Sequence, residues 1–148
     1  MDVVYVVKAQ ARSGSATDEL RYSMRSLRHL PHDRVIVAGW KPEWCHDVIY
    51  LPTTQRKTKF ENALANLRAA LEVVSERFVL MTDDFFIVQP TTEPLFHGGS
   101  WRRTVTAQGF YQASKAEVWK ILQAEGVADP VTYELHVPMT FDRDRLAE

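Results

Sequence analysis

Three short apolar runs constrain this chain most: VVYVV at 3–7, RVIVA at 34–38 and RFVLM at 77–81. Each is rich in Val, Ile or Phe and lacks the strict alternation of a half-exposed strand, the pattern expected of strands covered on both faces of a mainly parallel sheet. Parallel strands need crossover connections, and helical patterns lie where crossovers belong. TDELRYSMRSLRHL repeats Leu20, Met24 and Leu27 at helical spacing, opens on acids and closes at Pro31. A weaker strand, DVIYLP, precedes KTKFENALANLRAALEVVSE, whose Phe60, Leu64, Leu67, Leu71 and Val74 predict one apolar stripe. The third run follows directly. Strands alternating with helices, without an internal repeat, predict an α/β fold: a three-layer, mainly parallel sheet flanked by helices.

Beyond Pro90 the pattern loosens. HGGSWRR reads as a turn or loop, TVTAQGFYQA as a strand pair, and SKAEVWKILQAEG as a helix with Ser114 and Glu117 as capping box and Gly126 as stop. The final FDRDRLAE reads as a helix just begun, as in a chain truncated at its C-terminus. A length of 148 residues, 45% of them hydrophobic, supports one core and a single domain over 1–148. Lys and Arg total 18 against 19 Asp and Glu, so a net charge of -1 gives no general attraction to nucleic acid or an anionic membrane. No nucleic-acid partner is expected, and any basic patch must be local. The apolar part of MDVVYVVKAQ is too short for a membrane span, and no leader pattern follows it. Cys45, the only cysteine, has no partner for a disulfide or a zinc site, which fits a cytoplasmic setting. Walker, GxGxxG, GxSxG and HExxH motifs are absent.

The chemistry concentrates in FVLMTDDFFIVQP, where Asp83 and Asp84 follow a strand and are flanked by apolar residues. In a parallel sheet ligands gather at the carboxyl ends of the strands, which is where this pair falls. Paired carboxylates there serve either as a turn, capping backbone amides, or as ligands for a hard divalent cation. Arg56, Lys57 and Lys59 crowd the start of the second helix, an unfavourable place for cations unless an anion such as a phosphate also sits there; solvated surface residues are the plainer alternative. Lys59, Asn62 and Asn66 share a polar helix face, and the asparagines either bind a ligand or satisfy loop backbone. In YELHVPMTF, Glu134 and His136 would point the same way if the segment is extended.

Three of these segments, ELRYSMRSL, ERFVLMTDDFF and YELHVPMTF, resemble in this order segments of the Stealth family, which includes capsular polysaccharide phosphotransferases, and of small phage and bacterial glycosyltransferase-like proteins. With KFENALANLRAA they cover much of the chain. The family pattern NDDFF appears here as TDDFF, with Thr82 in place of Asn, and its H-x-P motif appears as His136–Pro138. The resemblance implies a minimal GT-A type, nucleotide-diphospho-sugar transferase fold in which Asp83, Asp84 and His136 hold Mn2+ or Mg2+ against the donor's diphosphate.

The function expected is metal-dependent transfer of a sugar from a nucleotide-diphospho-sugar to a glycan or protein acceptor. Asp84 is the first choice of ligand, and Asp83 shares the ion or contacts sugar and ribose hydroxyls. Arg21, Arg56, Lys57, Lys59 and Asn62 are candidates for donor contacts, and Glu134 for the general base of an inverting reaction. Sugar-1-phosphate transfer, with attack at phosphorus, is the alternative that the Stealth resemblance also implies. A non-catalytic sugar-nucleotide or glycan-binding module is the third.

Overall fold

The first strand explains why the apolar runs lack alternation. In the computed structural model, which describes residues 1–8, 16–54, 56–94, 97–101, 110–132 and 137–147, β1 (Asp2–Val7) is covered on both faces. Its Val3, Tyr5 and Val7 join one core, with Leu20 and Leu27, while Val4 joins a second with Ala70 and Val74. The helix α1 (Ala16–Ser26), extended by a 3-10 turn at Leu27–His29, covers the first face. The other face is covered by α2 (Lys59–Leu71) and by α4 (Arg143–Ala147), whose Leu146 packs against the second core.

The remaining strands are β2 (Val35–Gly39), β3 (Ile49–Pro52), β4 (Arg77–Met81) and β5 (Met139–Asp142), in the spatial order β3-β2-β1-β4-β5. The first four run parallel, with Val3 opposite Val35 and Val79, and β5 is antiparallel to β4, with Met139 opposite Leu80. This is the expected mostly parallel α/β sheet flanked by helices. Phe141 belongs to β5 and stacks on Phe78 at 6.0 Å between ring centroids, so the last helix starts only at Arg143.

The apolar stripe expected on α2 is only half right. Phe60 and Leu64 are 74% and 48% exposed, and the buried row is Asn62, Asn66 and Ala70, continued by Val74. The two amides displace the leucine stripe because backbone groups of the neighbouring strands and loop need partners there. Asn66 Nδ2 donates to Val7 O at 3.2 Å, its Oδ1 accepts from Thr53 Oγ1 at 2.5 Å, and Gly39 lets the helix approach. Gly39 has φ +108°, and a Cβ there would stand 2.1 Å from Val7 O and 2.5 Å from Asn66 Nδ2.

The chain divides into two compact units, Met1–Leu95 with His136–Glu148, and Phe96–Leu135. The second holds α3 (Phe110–Ala124), which runs through the expected strand residues 110–113 and leaves Ser114 inside the helix, so the Ser114–Glu117 capping box does not form. Its stop does form: Gly126 has φ +84°, and the Gly126 and Val127 amides return to Gln123 O and Leu122 O in a Schellman arrangement. Among the described residues no helix is long and apolar enough to cross a membrane.

Candidate functional site at the carboxyl edge of the sheet

From β1 the chain builds β2 and β3 to one side, then returns to add β4 on the other. β1 and β4 are therefore adjacent strands whose next strands, β2 and β5, lie on opposite sides, a topological switch point of the kind where open α/β sheets bind ligands. Asp83 and Asp84 occupy it, in a turn that begins one residue after Met81 and closes with the Phe85 amide on Thr82 O at 3.3 Å.

The two carboxylates differ. Asp84 is exposed, and one of its oxygens accepts a hydrogen bond from the Thr82 hydroxyl, which orients it. Asp83 is half-buried. Burial pushes its carboxyl above the ordinary value, its own backbone amide draws it down, Asp84 pushes it up again, and Lys8, the residue after β1, draws it down. Lys8 thus follows β1, and the two acids follow β4, the strand parallel and adjacent to it. Such a pair suits a hard divalent cation, which takes oxygen ligands from one or two carboxylates and completes its shell with water or phosphate oxygens.

The turn is anchored from beneath. Ser23 of α1 is fully buried; its Oγ lies 2.5 Å from Phe85 O, 3.4 Å from Thr82 O and 2.9 Å from the equally buried Tyr5 hydroxyl. One helical turn later, Ser26 Oγ accepts the Ile87 amide at 3.0 Å. Ser23 lies three residues after Leu20 and four before Leu27, beside the apolar face, but the Phe85 and Ile87 partners of the two serines lie about sixty residues away in sequence, where no local pattern points to them.

The other sequence candidates are placed as follows. Arg56, Lys57 and Lys59 are exposed around the start of α2, on the carboxyl side of β3. That helix end already carries an anion of its own. Thr58 Oγ1 accepts the Glu61 amide at 3.2 Å, and Glu61 Oε2 accepts the Thr58 amide at 3.0 Å, a capping box that the sequence TKFE signals. Asn62 is engaged by the same loop: its Oδ1 accepts the Arg56 amide at 2.6 Å, and its Nδ2 donates to Arg56 O and Thr58 O. Of the two uses open to the asparagines, backbone satisfaction is the one seen. The Lys59 ammonium lies 5.0 Å from the centroid of the Phe60 ring, and the Arg21 guanidinium stands over Trp44 at 4.9 Å.

Glu134 and His136 lie outside the described residues. Their described neighbours Val137 and Pro138 lead into β5, which is antiparallel and therefore starts at the same edge of the sheet as the Asp83–Asp84 turn. Among the described residues no group of three or more His, Cys, Asp or Glu side chains is arranged to hold a metal ion.

Comparisons of the chain with protein-family models, with curated proteins and with solved structures return no match.

Cys45 is buried, with its thiol pushed up by burial and its Sγ 3.6 Å from Met24 Sδ. It is a packing residue of the first core, not a nucleophile paired with His46, which is exposed.

Proposed function

We propose that this protein is a metal-dependent glycosyltransferase that uses a nucleotide-diphospho-sugar donor on a GT-A type version of its α/β sheet. The observation that carries the reading is the seat of Asp83 and Asp84 at the switch point, after the strand next to β1, whose following residue is Lys8. Asp84, oriented by Thr82, and Asp83 would hold Mn2+ or Mg2+. When bound, the ion supplies Lewis-acid stabilisation of the negative charge that grows on the departing diphosphate.

The chain's own groups do the rest. Lys8 adds fixed positive charge at the end of β1, and the basic start of α2 lies on the same edge of the sheet. Both favour an anionic donor there. By the family resemblance His136 would complete the ligand set and Glu134 would accept the acceptor's proton.

Sugar-1-phosphate transfer is the second reading, favoured by the TDDFF and HVP segments and by their likeness to the Stealth phosphotransferases. Products separate the two. Glycosyl transfer releases a nucleoside diphosphate, whereas attack at phosphorus releases a nucleoside monophosphate. A thermal-shift panel of nucleotide sugars, with and without Mn2+, tests both on wild type and Asp84→Ala. The expected result is a metal-dependent rise in Tm for at least one nucleotide sugar, lost in Asp84→Ala. No metal-dependent rise with any of them would reject the reading.

A further inference from the structure

Ser23 and Ser26 belong to ELRYSMRSL, one of the segments that resemble the Stealth family, and the reaction outlined above gives them no role. We infer that Ser23 and Ser26 of α1, backed by Tyr5 of β1, are positioning residues that hold the Asp83–Asp84 turn in its metal-binding form, an inference that rests on the metal-site reading above.

The hydrogen-bond count supports it. Ser23 has one hydroxyl proton, and its short contact, 2.5 Å, is to Phe85 O, an oxygen that can only accept. The Ser23 proton is therefore directed to the turn, and the Tyr5 hydroxyl, 2.9 Å away, must donate to Ser23 Oγ. Both side chains are fully buried, so no water competes for these bonds. Ser26 repeats the device two residues further along the segment: its Oγ donates to Ser23 O at 2.6 Å and accepts the Ile87 amide at 3.0 Å. The backbone is thereby held just beyond the acids, at Phe85 and Ile87. Two carboxylates on adjacent residues converge on one ion only if the backbone between them keeps its torsions, and these bonds supply that constraint. Groups that orient ligands from outside the coordination shell typically change metal affinity by about 10–100-fold when lost.

The test is Mn2+ binding, followed by electron paramagnetic resonance of the free ion, together with amide hydrogen exchange over residues 82–87. Ser23→Ala, Ser26→Ala and Tyr5→Phe are compared with Val74→Ala, a control that loosens the opposite core. Ser23→Ala should weaken Mn2+ binding by about tenfold or more and speed exchange in the turn. Tyr5→Phe and Ser26→Ala should show smaller losses of the same kind, which keeps the test alive if Ser23→Ala does not fold. Val74→Ala should leave both readouts as in wild type. A folded Ser23→Ala with wild-type affinity and wild-type exchange overturns the inference, and so does an equal loss in Val74→Ala. Failure of wild type to bind Mn2+ rejects the metal-site reading instead. Exchange then decides the positioning role: faster turn amides in Ser23→Ala, with Val74→Ala as in wild type, support it, and unchanged amides overturn it.

Discussion

Asp83 and Asp84 are adjacent in sequence and unlike in surroundings, so they should respond differently to substitution. Burial and the neighbouring Asp84 charge hold the Asp83 carboxyl above its ordinary value, so its ionised form costs more in the folded protein than in the unfolded chain. Asp83→Asn should therefore raise the melting temperature of the metal-free protein while reducing the further rise given by Mn2+ and a nucleotide sugar, the usual conflict between stability and a functional charge. Asp84 is exposed, so Asp84→Ala should leave metal-free stability within about 0.5 kcal/mol of wild type and remove the metal-dependent rise. A calorimetric comparison of the two variants with and without Mn2+ checks both expectations. At this scale the sequence shows what stands in the site but little of what supports it. The acid pair is legible because a strand end and a doublet of like charges are local features. Ser23 and Tyr5 are not, since a serine on a helix and a tyrosine in a strand acquire their meaning only when the sheet brings residues 5, 23 and 85 together.

Among the elements, α2 shows how far a periodicity can be trusted. Its place over the sheet follows from the pattern, yet it ends at Leu71, short of the expected stripe residue Val74, turns Asn62 and Asn66 inward and leaves Phe60 exposed. Hydrophobicity alone misplaces the face because an inward asparagine can satisfy backbone groups that a leucine would leave unpaired. Gly39 makes that face possible. Gly39→Ala would set a methyl carbon against Val7 O and Asn66 Nδ2 at a backbone angle that favours glycine, and should cost about 3 kcal/mol in urea denaturation. The helix start offers a milder test: Thr58→Ala removes the capping hydroxyl and should cost about 1 kcal/mol by the same measurement.

For the whole molecule, the order of strands was not legible. The runs predict a mainly parallel sheet, but nothing local states that β4 would pair with β1 on the side away from β2, and that pairing is what creates the switch point. Asp2 is one of the residues that fasten it. Buried at the start of β1, it accepts two hydrogen bonds from Arg34, which leads into β2, and one from the Ser75 amide, which precedes β4. Burial pushes its carboxyl up, but the Arg34 and Ser75 bonds outweigh that and leave it below its ordinary value. A depressed carboxyl stabilises the fold above the unfolded value near about 3.9, and that contribution is lost as the pH falls through the folded value. Asp2→Ala should therefore cost about 2 kcal/mol at neutral pH, and its deficit against wild type should shrink below about pH 4 when the two are unfolded in urea.

The outermost strand on the β2 side, β3, is four residues long and ends in Pro52, which has no amide proton to offer. A row so short, and blunted at its carboxyl end, gives a neighbouring chain almost nothing to pair with. The lateral edge that β3 forms is thus poorly suited to templating fibrils, and lengthening β3 or replacing Pro52 would be a direct route to a more aggregation-prone protein.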